Sequence, residues 1–126
     1  RPYGDIALSP AAMCFHYGQT VFEGLKAYRT AEGKVQLFRP MENFKRLNNS
    51  NKRLVIPELP EELGMKCLME LLKIEKDWVP SKEGESLYIR PFIIAIDPYL
   101  GVKPGAQYYF MIIHPPALTM RAVLIP

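Results

Sequence analysis

The sequence predicts one α+β domain, an antiparallel sheet with two helices packed on one face. Three observations predict it. β-rich runs occur early, at residues 21–30 and 35–38, and again late, at 87–96 and 108–113. Between them lie two stretches, 40–54 and about 60–79, whose apolar residues recur at helical spacing. The chain has 126 residues with 48% hydrophobic content, enough for a single core but hardly for two.

Taken in order, residues 15–28 read F-H-Y-G-Q-T-V-F-E-G-L-K-A-Y, an extended aromatic segment in which Gly18 and Gly24 let the backbone approach another group. Residues 21–30 and 35–38 form an antiparallel pair through the short Ala31-Glu32-Gly33 loop. Pro40 opens the first long helix, with Met41, Phe44, Leu47 and Leu54 on its apolar stripe and Pro57 and Pro60 closing it. Leu63, Cys67, Leu68, Leu71, Leu72 and Trp78 mark the stripe of the second. The last two strands are separated by residues 97–105, a loop stiffened by Pro98 and Pro104.

Twelve prolines point to short elements with fixed turns, because abundant aliphatics and aromatics argue against disorder. The net charge of +3 comes largely from Arg39, Lys45, Arg46, Lys52 and Arg53, offset locally by Glu42. A basic helix invites an anion, although a solvated face accounts for four of these five residues. Cys14 and Cys67 offer neither metal spacing nor a disulfide framework and are expected to be reduced and buried. No metal site is expected. No apolar run approaches the length of a membrane span and no leader pattern opens the chain, so a soluble, cytoplasmic protein is expected.

The string S-L-Y-I-R-P-F at residues 86–92 carries the chemistry. In a strand, Tyr88 and Arg90 share one face, and a planar cation beside a phenol suits a carboxylate. On composition alone they would be an ordinary sheet pair. Arg46 stands about 100° round its helix from Leu47, at the edge of the buried stripe, where its fork could reach an anion. A strand would place Glu23 opposite Phe22, which gives it a structural role.

Together with Asn43-Phe44-Lys45-Arg46-Leu47, the two strings resemble the small N-terminal domain of the branched-chain amino acid aminotransferases, fold-type IV enzymes dependent on pyridoxal 5'-phosphate. The resemblance runs over residues 2–113. It implies exchange of an amino group between leucine, isoleucine or valine and 2-oxoglutarate. By the same resemblance Arg46 holds the cofactor phosphate, Arg90 binds the distal carboxylate of glutamate or 2-oxoglutarate, and Tyr88 lines the pocket and hydrogen-bonds nearby. Tyr17 and Phe22 would be walls for a branched aliphatic side chain. Leu100, Gly101 and Val102 would reach the active site of the other subunit of a homodimer. His16 is expected to make a structural hydrogen bond rather than to act as a base.

The family's cofactor-bonding lysine, its carboxylate at the pyridine nitrogen and its second phosphate cradle belong to a large C-terminal domain. No lysine here lies in a segment resembling that region, so Lys26, Lys34 and Lys103 are not candidates, and the chain alone is expected to be inactive and without a covalent cofactor. Residues 1–126 are thus expected to be the small domain, with 114–126 at or near the interdomain loop and 120–125 a strand leading away from it. The tail departs from the family pattern, since His114-Pro115-Pro116-Ala117 stands where a Pro-Val-Gly-x-Tyr segment is usual. Two other readings are weaker. A D-amino acid aminotransferase or aminodeoxychorismate lyase fits F-E-G-L-K-A-Y and Y-I-R-P less well. A small nucleic-acid-binding module would need an RNP-type signature, which is absent.

Overall fold

The computed structural model describes residues 3–115 and the backbone of 123–125. Its elements are α1 (Met13–His16), β1 (Thr20–Phe22), β2 (Leu25–Arg29), β3 (Val35–Leu37), α2 (Pro40–Arg53), α3 (Glu61–Glu75), a 3-10 turn (Lys76–Trp78), β4 (Leu87–Ala95), β5 (Tyr108–Ile113) and β6 (Val123–Ile125). The strands form one antiparallel sheet in the order β3-β2-β4-β5-β6, with β1 also paired to β4. The α+β reading of the sequence holds.

Strand β4 organises the layers. Leu87, Ile89, Pro91, Ile93 and Ala95 are buried, while Tyr88, Arg90, Phe92 and Ile94 between them are half-buried. Successive side chains of a strand point to opposite faces, so one face of the sheet is covered and the other open. The covered face packs Val21, Leu25, Ile89, Ile93, Phe110 and Ile112 against Phe44 and Leu47 of α2 and Cys67, Leu68, Leu71 and Leu72 of α3. Phe44 and Leu47 are 1% and 0% exposed, so the helical spacing does identify the inner stripe of α2.

The structure corrects several expectations. The segment expected as one strand over 21–30 is broken at Glu23-Gly24 into β1 and β2, which pair with different halves of β4. The Glu23 amide still donates to the Pro91 carbonyl at 2.8 Å, so the break is a kink along β4 rather than a departure from it. Within the extended aromatic segment, Phe15 and His16 belong to the short helix α1, whose first amide, that of Met13, bonds the Asp97 carbonyl. Leu54 lies past the end of α2 and is exposed, as are Leu63 and Trp78 on the second stripe. Their places are taken by Asn48, Asn51, Gly64 and Val79, all buried.

Asn48 is interior because it satisfies backbone. Asn48 donates to the Leu59 carbonyl at 2.7 Å and accepts from the Leu59 amide at 2.8 Å, while Asn51 donates to Asn48 Oδ1. The turn after α2 is thereby clamped to the helix. Gly64 is required by close approach, since a Cβ there would lie 2.6 Å from the Phe44 ring. At the hairpin, Gly33 adopts a φ of 81° and its amide bonds Thr30, closing the loop as expected.

Cys67 is buried and Cys14 half-buried, both are free thiols, and burial pushes both thiols up from their ordinary range. Of the tail expected as a strand at 120–125, residues 123–125 pair with β5 as β6, and 120–122 lie outside the described residues.

Candidate functional site

The open face of the sheet brings three of the predicted residues together. Arg90 donates to the Tyr88 hydroxyl from Nη2 at 2.6 Å and from Nε at 3.2 Å. Its guanidinium carbon lies 4.3 Å from the Phe22 ring centroid and 5.3 Å from that of Tyr88. β4 supplies Tyr88 and Arg90 at two-residue spacing, and the pairing of Phe22 with Phe92 sets the third ring on the same face. The half-buried guanidinium is within cation–π reach of both rings. Nη1 makes neither bond to Tyr88, so the fork retains donors for an anion. Phe22 is 59% exposed and offers an apolar surface beside that charge.

Gly24 lets this arrangement form. A side chain at that position would overlap the Tyr88 hydroxyl. The close backbone approach expected of Gly24 from sequence is the one Tyr88 makes.

Arg46 is at the site's border, engaged with a residue the sequence does not pair with it. Its Nε and Nη2 donate to Glu23 Oε1 and Oε2, each at 2.7 Å. The Glu23 side chain is only 5% exposed, against 68% for Arg46, and Asn43 Nδ2 gives it a further hydrogen bond at 3.1 Å. Burial works against the charged form of Glu23, but the hydrogen bonds from Arg46 and Asn43 and the Arg46 charge outweigh it and hold the carboxyl below its usual range. Glu23 has the structural partner its position suggested. The identity of that partner is invisible in a list of residues 23 positions apart.

Tyr17 stands apart. It lines a shallow groove of about 320 Å³ with Leu54, Val55, Val102 and Lys103, and its ring contact is with His16. His16 makes the structural bond expected of it, to the Pro10 carbonyl at 2.8 Å. Leu100 and Val102 are 65% and 97% exposed at the tip of the loop after β4. Gly101 lies against the Tyr99 ring, which also carries the Lys103 ammonium at 4.0 Å.

The base of this loop is polar and was not legible in sequence. Asp97 accepts from the amides of Ala106 and Gln107 at 2.9 Å, Gln19 accepts from the Gly105 amide, and Tyr108 donates to the Gly105 carbonyl. Burial opposes the Asp97 charge, yet the Gln107 and Ala106 amides prevail and keep the carboxyl below its ordinary range.

Among the described residues no cluster of side chains suits a metal ion, and no helix is long and apolar enough to cross a membrane. The site is a surface rather than a pocket. An apolar groove of about 440 Å³ between β3 and α3 shares no residue with it.

No protein-family model matches the chain. Individual relatives do. It is 56% identical over 115 residues to branched-chain-amino-acid transaminase 1 of Bacillus subtilis, covering 91% of this chain and 32% of that protein. The branched-chain-amino-acid aminotransferase of Mycolicibacterium smegmatis is 52% identical over 117 residues, with 92% and 32% covered. The chain is homologous to about a third of a branched-chain aminotransferase. Solved enzymes of that name carry the same fold. That of Escherichia coli superposes with a TM-score of 0.67 at 25% identity, covering 97% of this chain and 36% of its own. A second solved branched-chain aminotransferase, the T.th. enzyme, gives 0.67 at 31% identity, with 93% and 35% covered. That enzyme was solved in complex with N-(5'-phosphopyridoxyl)-L-glutamate and, separately, with 4-methylvaleric acid. The chain thus spans about a third of the length of the branched-chain aminotransferases it matches.

Proposed function

We propose that the whole protein is a pyridoxal 5'-phosphate-dependent branched-chain aminotransferase that exchanges an amino group between leucine, isoleucine or valine and 2-oxoglutarate. In this reading residues 1–126 supply its small N-terminal domain, with 114–126 at or near the interdomain loop. The observation that carries it is the Arg90 guanidinium held by Tyr88 against Phe22 on the uncovered face of the sheet. One pocket must accept a branched aliphatic chain in one half-reaction and a second carboxylate in the other, and this cluster offers an apolar wall and a cation side by side. Relatives that bind a glutamate conjugate and 4-methylvaleric acid support the same pair of demands.

The residues present fit one part of the cofactor. Arg46 is largely exposed and Nη1 makes neither of its bonds to Glu23, so a phosphate can meet that edge of the fork. When bound, the cofactor supplies the electron sink that lets an amino acid lose and regain its α-proton. This chain's own residues bind and orient. Arg90 would neutralise the distal carboxylate, Tyr88 would hold Arg90 in place and face the substrate, and Phe22 would shield the aliphatic chain from water. Tyr17, in its separate groove beside Val102, would be a wall further from Arg90. The lysine that bonds the cofactor would be outside this chain.

A homodimer is part of the proposal, with Leu100, Gly101 and Val102 facing the partner's pocket. The exposure of Leu100 and Val102 on a loop fixed at its base by Asp97 supports it, since apolar residues on a fixed tip fit a contact. A cytoplasmic place in amino-acid metabolism follows from the same reading.

The test is Arg90→Met in the complete enzyme, with the two half-reactions measured separately. Turnover of glutamate and 2-oxoglutarate should fall steeply while leucine is spared, because leucine has no second charge to lose its partner. A parallel fall in both would make Arg90 a residue of the sheet's architecture only.

A further inference from the structure

The Glu23 to Arg46 pair joins an exposed cation to a buried anion, and the burial is lopsided. An arginine that is 68% exposed would ordinarily sample many rotamers. Here its Nε and Nη2 are tied to both oxygens of one carboxylate, a fork-to-fork geometry that fixes the plane of the guanidinium. The carboxylate cannot drift either. Asn43 donates to its Oε2, and the Glu23 amide donates to the Pro91 carbonyl, one residue from Arg90. Gly24, directly after it, receives a second bond from Asn43 through its carbonyl at 3.3 Å.

We propose that Glu23 is the positioning residue for Arg46, presenting the Nη1 edge of its guanidinium to the cofactor phosphate while holding the rest of the fork. The inference rests on the reading of Arg46 as the phosphate's partner. Because Arg46 is ordered on folding, its rotamer freedom is not lost again when the anion arrives. Three donors, two from Arg46 and one from Asn43, keep the Glu23 carboxylate where it is, so phosphate meets the open edge and does not displace it. A simple tie between α2 and the sheet would need neither the bidentate geometry nor a partner so exposed. Glu23 also touches the supports of both anion-binding groups of the reading, Arg46 through its side chain and Pro91, next to Arg90, through its backbone.

The experiment uses the complete enzyme freed of cofactor and compares its affinity for pyridoxal 5'-phosphate with that for pyridoxal, which lacks the phosphate. Glu23→Gln should lower the first by roughly tenfold, the scale of one charge-assisted hydrogen bond, and leave the second unchanged. Asn43→Ala should act in the same direction and less strongly, and it serves where Glu23→Gln does not fold. Equal losses for both ligands, or a gain in phosphate affinity once the competing charge is removed, would overturn the proposal. Arg46→Ala separates the role of Arg46 from that of Glu23. If it leaves the ratio of the two affinities at the wild-type value, the reading of Arg46 fails; if it lowers the ratio and neither Glu23→Gln nor Asn43→Ala does, only the role of Glu23 fails.

Discussion

Gly24 lies against the Tyr88 hydroxyl so closely that no other residue fits there without moving the ring. The same hydroxyl accepts both hydrogen bonds from Arg90. A backbone position at the break between β1 and β2 therefore sets the aim of a guanidinium on β4.

Gly24→Ala should destabilise the chain by about 1–3 kcal/mol, the usual cost of forcing an atom into occupied space. Combining it with Tyr88→Phe, which removes the overlapping oxygen, should cost less than the sum of the two single changes. Chemical denaturation of the four variants in the cycle measures this. Strict additivity would show that Tyr88 relaxes freely and that Gly24 has no such task.

Gly64→Ala sets two effects against each other. Alanine favours a helix over glycine by about 1 kcal/mol, but the added Cβ would press on the Phe44 ring at a cost of about 1–3 kcal/mol. The net effect should be destabilising, and Phe44→Leu in the same chain should reduce the penalty of the alanine. A rise in unfolding midpoint for Gly64→Ala alone would mean that the helices part easily at this crossing.

Asn48→Ala removes the acceptor of the Leu59 amide and the donor to the Leu59 carbonyl together. Leaving a buried backbone group unpaired costs about 1–3 kcal/mol; Leu59 is half-buried, so water takes up part of the cost and a total loss of about 2–3 kcal/mol is expected. Hydrogen exchange should show the Leu59 amide losing protection before the amides of β4 do. Unchanged protection at Leu59 would mean that water replaces the side chain without penalty.

Acid should weaken the fold through two carboxylates. Glu23 and Asp97 are both held below their ordinary values of 4.5 and 3.8. The unfolded chain then takes up protons first, so their contribution is complete above those values and is lost as pH falls through the lower values of the folded state. Stability measured against pH should decline below about pH 4.5. Glu23→Gln and Asp97→Asn should each be less stable at neutral pH and show a flatter decline. An Asp97→Asn curve parallel to the wild type would place the acid sensitivity elsewhere.

The hydrophobic runs of β4 and β5 and the proline at the start of α2 were legible because burial on a sheet or helix face imposes a period that sequence displays. What escaped was polar and non-local. Asn48 and Asn51 look like surface residues in any helical projection; Asn48 is buried with the Leu59 backbone it satisfies, and Asn51 with Asn48. Leu54, Leu63 and Trp78 continue the apolar spacing yet lie where the partner surface has ended. In the candidate site, Tyr88 with Arg90 could be read from a two-residue spacing. Glu23 with Arg46 could not, because strand alternation puts Glu23 on the face that α2 covers without saying which α2 residue meets it. The Asp97 turn was similarly hidden, since its partners are backbone amides that carry no residue identity.

Along β4 the odd-numbered side chains build the interior and the even-numbered ones meet whatever lies outside. Residue parity therefore divides inheritance into two nearly independent texts. Changes at positions 88, 90, 92 and 94 can retune what the surface selects without repacking Leu87, Ile89 or Ile93. If this face binds substrate as proposed, a lineage can alter its taste in ligands one even position at a time while the odd positions keep the scaffold intact.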